Sequence, residues 1–133
     1  MFGGTIHKAG GLYAHITWHT WRRGRVIKRV DVPVIIAAIN EAASRTAARV
    51  LSIAVLRDHV HVVIRQAAHS PLAGFIRHAK SESSRRVNIQ RAGEQVLRWG
   101  RGYYAGSISW GHLAAARNYV GGQFKRHPDL IPE

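Results

Sequence analysis

Hydrophobic and polar positions alternate clearly over residues 12–20. Tyr13, His15, Thr17 and His19 share one side, and Ala14, Ile16 and Trp18 share the other. That period of two, with aromatic and β-branched residues, predicts a half-buried strand. A basic stretch follows, with Trp21, Arg22, Arg23, Arg25, Lys28 and Arg29. The period then changes. Val32, Ile35, Ile36, Ile39, Ala42 and Ala43 recur at helical spacing, with Asp31 placed to cap and Pro33 in the first turn, so a helix is predicted over 32–48. Residues 49–57 and 59–65 read as two strands joined tightly at Arg57-Asp58. Ser70-Pro71 is a preferred helix opening, a hydroxyl cap and then proline. Leu72, Phe75, Ile76, Ala79 and Ser83 form the apolar stripe of that second helix, which ends at Ala92-Gly93. A glycine-punctuated fourth strand is predicted over 97–109 and a last helix over 110–126.

The order β-α-β-β-α-β plus a C-terminal helix predicts an α+β, ferredoxin-like antiparallel sheet with helices on one face. At 133 residues a single domain over 1–133 is expected. No repeat, low-complexity tract or Gly/Pro/Ser-rich linker divides the chain.

Composition narrows the partners. Hydrophobic residues make up 46% of the chain, a globular value, and 20 Lys+Arg oppose 7 Asp+Glu for a formal charge of +13. Sixteen of those cations are Arg, which grips phosphate bidentately and stacks on bases. Nucleic acid is therefore the leading partner, against the plainer reading of unspecific polyanion binding. With no cysteine there is no disulfide, thiolate metal site or Cys nucleophile. No apolar run approaches the ~20 residues of a membrane span, and residues 1–8 lack the apolar core of a secretory signal. A soluble cytoplasmic domain is expected.

Two features carry candidate chemistry. His59 and His61 project from one face of a strand, about 6.6 Å apart along it, and can converge on one cation. Taken alone, such a pair is more often structural. Tyr119 and Gln123 share a helix face at i and i+4, beside a docking seam of Leu113, Ala116, Val120 and Phe124. A tyrosine there is usually packing. Together the features complete one another: two imidazoles and an amide oxygen make three ligands for a divalent metal, with positions left for phosphate oxygens. A phenol four residues from the third ligand can then attack phosphorus. Phenoxide is also a competent leaving group, so the covalent bond can be reversed without nucleotide energy.

Asp58-His59-Val60-His61 resembles the His-hydrophobic-His (HUH) motif, and Tyr119-Val120-Gly121-Gly122-Gln123 resembles the single-tyrosine helix that accompanies it. With Trp18-His19-Thr20-Trp21-Arg22 and the Trp99–Tyr104 stretch, the chain is similar to IS200/IS605-family (Y1) transposases and to REP-associated tyrosine transposases over about residues 12–127. The resemblance implies a single-stranded DNA transposase that cuts and rejoins its substrate through a 5′-phosphotyrosine link. Tyr119 would be the nucleophile, and His59, His61 and Gln123 would hold Mg²⁺ or Mn²⁺. It also implies recognition of hairpins at element ends and of short guide sequences, and a homodimer whose tyrosine helix can serve the partner's site. The sequence departs from the pattern at Gly121-Gly122, where the family carries polar helix formers. The glycines predict either a loosened helix or one that ends near Val120, and the second would put the place of Gln123 in the ligand set in question.

Arg77, Lys80, Ser84, Asn88 and Arg91 form a second stripe on the predicted second helix, suited to a phosphate backbone or to plain solvent. Arg22, Arg23 and Arg25 are expected DNA contacts, and Trp21 a base-stacking one. Trp18, Trp99, Tyr103, Tyr104 and Trp110 are further aromatic candidates, most of them for the core. His112 is a cap or surface histidine, or touches the phosphate. His15 and His19 are expected as neighbours of the site rather than ligands. Two other functions share these residues: a replication-initiator or relaxase-like nickase, which ordinarily needs a longer chain, and a domesticated nucleic-acid-binding module without catalysis.

Overall fold

The computed structural model describes residues 11–133. The N-terminal stretch read above as lacking a signal core lies outside the described residues.

Four strands, β1 (Leu12–His19), β2 (Ala48–Val55), β3 (His59–Gln66) and β4 (Tyr104–Ile108), form one antiparallel sheet in the order β2-β3-β1-β4. Helix α1 (Val32–Arg45) connects β1 to β2, and α2 (Leu72–Gln90) connects β3 to β4. The pleat sorts the side chains as the alternation predicts. Ala14, Ile16 and Trp18 of β1 and Val60, Val62 and Ile64 of β3 face α1 and α2, where they meet Ile35, Ile39, Phe75, Ile76 and Ala79. Phe75 is fully buried there, so Phe75→Ala would cost about 3–5 kcal/mol. The opposite face is mostly polar at its β1–β3 centre. A second, smaller apolar cluster forms on it, where Val120 of helix α3 (Leu113–Gly121) packs against Ala54, Leu56 and Val63. The two connecting helices thus cover one face and the C-terminal helix docks on the other.

Several element edges differ from expectation, each for a local reason. Helix α1 stops at Arg45 rather than 48, because Thr46 turns its hydroxyl onto Ala42 O (2.7 Å) and Ala47 adopts φ +54°. Asp31 occupies the cap position but does not cap; its carboxylate accepts from Lys28 N (2.8 Å) and pairs with Arg91. Ser70 does not cap α2 either, since its hydroxyl donates to Thr46 O at 2.7 Å. The Arg57-Asp58 turn is as tight as expected, closed by Leu56 N donating to His59 O at 2.8 Å.

Strand β4 is much shorter than the predicted 97–109. Thr17 pairs with Tyr104, so a regular ladder would place Thr20 opposite residue 101, yet Thr20 bridges to Trp99. Residues 97–103 therefore form a strap with two extra residues, a bulge around Gly100 and Gly102. The last helix is also divided. A 3-10 turn at Trp110–His112 precedes α3, and Gly122 separates α3 from the short α4 (Gln123–Arg126). The break leaves Phe124 exposed instead of on the docking seam. Beyond α4 the chain returns to the sheet edge: Arg57 N donates to Leu130 O (2.8 Å) and Arg29 N to Glu133 O (2.9 Å).

Candidate active site and nucleic-acid interface

Register places four histidines on the polar face of the sheet. Thr17 pairs with His61 and His19 with His59 across β1 and β3, so His15, Thr17, His19, His59 and His61 all project to one side. The imidazoles stack in two pairs, His15 on His61 (5.2 Å, 23°) and His19 on His59 (5.0 Å, 21°). The Nε2 atoms of His59 and His61 stand 3.1 Å apart. Two cis ligands of an octahedral ion at about 2.1 Å would be separated by about 3.0 Å.

The other ring nitrogens are occupied. His59 Nδ1 donates to Asp58 Oδ1 at 2.6 Å, since a carboxylate only accepts. His61 Nδ1 lies 3.1 Å from Thr17 Oγ1, which can accept its proton, and 2.9 Å from His15 Nε2. With that proton on His61 Nδ1, both Nε2 lone pairs face the gap between the rings, where a cation can sit; in the other tautomer His61 Nε2 donates to His59 Nε2. Burial, followed by the neighbouring imidazoles His59, His15, His19 and His127, pushes His61 down to about 3. His15 is also lowered by burial, and His19 by burial and then Arg23.

Tyr119 approaches this cluster from α3. Its ring lies 5.8 Å from the rings of both His61 and His15, edge-on to each, and is 40% exposed. Tyr119, His15, His61, Arg23, Tyr103 and Tyr104 line a common pocket of about 570 Å³. The structure thus brings together the strand motif and the tyrosine helix, as the sequence led us to expect. Gln123 follows the glycine break, yet it stays buried at 1% exposure, with Nε2 donating to Tyr119 O at 3.1 Å. Its Oε1 is buried without a hydrogen-bond partner. A buried acceptor left unpaired is costly and fits a metal-ligand amide. Among the described residues no group of three His, Cys, Asp or Glu is placed to hold a metal ion.

The predicted DNA contacts divide into two kinds. A groove of about 1140 Å³ runs between α2 and the 97–103 strap, and Arg77, Lys80, Ser84, Arg85, Arg98 and Arg101 are among its lining residues. Ile76, Ile89, Leu97 and Trp99 give it apolar parts. Arg77, Lys80 and Ser84 are therefore on the surface expected, but Lys80 is not a free cation. Its ammonium donates to Gly100 O (2.7 Å) and Gly102 O (3.3 Å), and burial lowers its pKa. Ser84 donates back to Lys80 O at 3.0 Å. Asn88 is buried and exchanges two hydrogen bonds with the Leu97 backbone, while Arg91 is spent on Asp31 and Val26 O. These last two hold loops instead of phosphates.

Trp21, expected as a stacking platform, already carries a guanidinium over its ring, Arg98 at 4.1 Å, with Arg22 at 5.5 Å. Arg22 and Arg23 both have left-handed backbones, φ +54° and +56°. Arg23 lines the pocket beside Tyr119, whereas Arg25 pairs with Asp129 at 3.4 Å. Trp18 and Trp99 are core residues, with Trp99 Nε1 donating to Ser83 Oγ at 2.9 Å; Tyr103, Tyr104 and Trp110 are exposed. His112 occupies the position before α3 but makes no side-chain capping bond; its Nδ1 lies 2.6 Å from Ser109 Oγ on the surface.

Asp58, Thr17 and Arg126 were not singled out by sequence reasoning. Asp58 is the residue before His59, and that adjacency was its signal. Thr17 was visible only as a member of the polar face. Arg126 sits with Cζ 4.9 Å from the Tyr119 ring centroid, a contact no local pattern announces. No described helix is long and apolar enough to cross a membrane.

The fold has known counterparts. A Deinococcus radiodurans R1 protein assigned as a transposase aligns with a TM-score of 0.66 at 19% identity, over 85% of this chain and 91% of that one. The structure of a REP-associated tyrosine transposase bound to a REP hairpin aligns at 0.68 and 14% identity, over 90% of this chain and 69% of that one. No curated protein sequence matches. The family model described as "Transposase IS200 like" matches residues 8–123. Sequence and fold converge, and the chain belongs to the IS200-like transposase family.

Proposed function

We propose that this transposase cleaves and rejoins single-stranded DNA with Tyr119 as nucleophile. The observation that carries the reading is the Tyr119 ring standing against His61 and His15, on the sheet face where the His59 and His61 Nε2 atoms converge. The phenol oxygen forms a bond to phosphorus while the bond to the 3′ oxygen breaks. The products are a 5′-phosphotyrosine and a DNA 3′-OH, which takes up a proton as the phenol gives one up. A phosphodiester is exchanged for a phosphodiester, so the reverse attack by a 3′-OH rejoins DNA.

His59, His61 and Gln123 are the residues that would hold Mg²⁺ or Mn²⁺. The fit rests on the facing Nε2 atoms and the unpaired buried Oε1. A divalent cation there polarises the scissile phosphate and offsets the charge that develops on it. Asp58 and Thr17 orient the two imidazoles. Arg77, Arg85, Arg98 and Arg101 line the neighbouring groove and suit the DNA backbone, with hairpin ends of the element as the substrate proposed. A homodimer is part of the same proposal.

The test is an oligonucleotide spanning the DNA that flanks the coding region, single-stranded, incubated with protein in Mn²⁺ or EDTA. A denaturant-resistant adduct that needs metal and is absent in Tyr119→Phe is expected. An adduct that persists in Tyr119→Phe reassigns the nucleophile. No adduct with any flanking strand leaves a DNA-binding module.

A further inference from the structure

Tyr119 and Arg126 lie seven residues apart, on opposite sides of the break at Gly122. In an uninterrupted helix, positions i and i+7 share a face but are separated by about 10.5 Å along the axis. A long side chain on a helix leans toward the N-terminus. Arg126 leans back in this way, and its guanidinium carbon reaches 4.9 Å from the Tyr119 ring centroid, within cation–π range. Gly122 and Gln123 lie between them, and a Cβ built at 122 would meet Asn118 O at 3.2 Å and Tyr119 O at 3.8 Å but no atom of Arg126 within 4 Å. Arg126 does not line the catalytic pocket, whereas Tyr119 does. His61 and His15 meet the ring edge-on, and Arg126 makes a third contact.

We propose that Arg126 is a positioning residue for Tyr119: its guanidinium, set against the ring, holds the phenol in the orientation that presents the hydroxyl to the pocket. This rests on the reading of Tyr119 as nucleophile.

Two measurements test it on the full chain. The first is NMR of the Arg126 side chain. Its methylene protons should be shifted upfield by the Tyr119 ring and return to random-coil values in Tyr119→Leu; random-coil values in the native protein overturn the proposal. The second is the rate of adduct formation at saturating single-stranded DNA. Arg126→Gln should slow it by about threefold to thirtyfold, the range a cation–π contact supports, with KM and Tm unchanged. Arg126→Lys, which keeps a cation, should recover most of the rate. An unchanged rate in Arg126→Gln, or a loss confined to KM, overturns the positioning role and leaves the nucleophile intact. An adduct that survives Tyr119→Phe brings down the nucleophile reading instead, and the NMR contact then still decides whether the ring is held.

Discussion

Asp58 and His59 are consecutive at the β2–β3 turn, and their side chains meet at 2.6 Å, so the carboxylate fixes the proton on His59 Nδ1 and frees Nε2. Asp58→Asn keeps the size but can present an amide donor in place of an acceptor, which would favour the other tautomer. Mn²⁺ affinity measured by calorimetry is expected to fall about 10- to 100-fold, with the fold retained. Unchanged affinity would mean that Asp58 serves only the hairpin.

Acid should weaken the apo fold through His61. Its folded pKa, about 3, lies below the ordinary 6.5, so the unfolded chain takes up a proton first as pH falls. Stability from this group is complete above about pH 6.5 and is lost progressively toward pH 3. His15 and His19 are shifted in the same direction and add to the slope. Urea midpoints in EDTA between pH 7.5 and 5 should fall more for the native protein than for His61→Asn. Parallel slopes would remove His61 as the cause.

Lys80 is expected to matter more for stability than its place in a DNA groove suggests. Its two hydrogen bonds hold the strap at Gly100 and Gly102, which also wall the pocket beside Tyr119. Lys80→Gln should cost about 1–3 kcal/mol of unfolding free energy, read as a shift in the denaturant midpoint.

Arg77 is exposed on the same groove. Arg77→Gln should leave the midpoint unchanged and reduce the slope of log K against log salt for single-stranded DNA by about 0.7, one phosphate contact. A slope equal to the native one would take Arg77 out of the DNA path.

Gly121 has open space around the position of a Cβ. Gly121→Ala should therefore stabilise the protein by about 0.5–1 kcal/mol, with adduct formation retained. Destabilisation would show that residue 121 needs backbone freedom in the folded state.

The placement of the candidate site was legible in the sequence because both of its halves are local. His59 and His61 share a face by strand period, and Tyr119 and Gln123 by helix period. The role of α2 was not. A stripe of Arg77, Lys80, Asn88 and Arg91 reads as a solvated or DNA-facing surface until the strap is laid along it, and then Lys80 and Asn88 become its anchors. The strap itself was read as strand because its residues suit one; only the Thr20–Trp99 pairing shows that two residues loop out. The convergence of His15 on His61 is likewise a matter of register between strands 46 residues apart.

The tail that returns to Arg57 and Arg29 gives the C-terminus a mechanical character. It moors the α4 end of the chain beside the β2–β3 turn, and Leu130 packs into the same apolar cluster that seats Val120 of α3. Both sides of the diglycine joint are thus tethered to a single patch of the molecule.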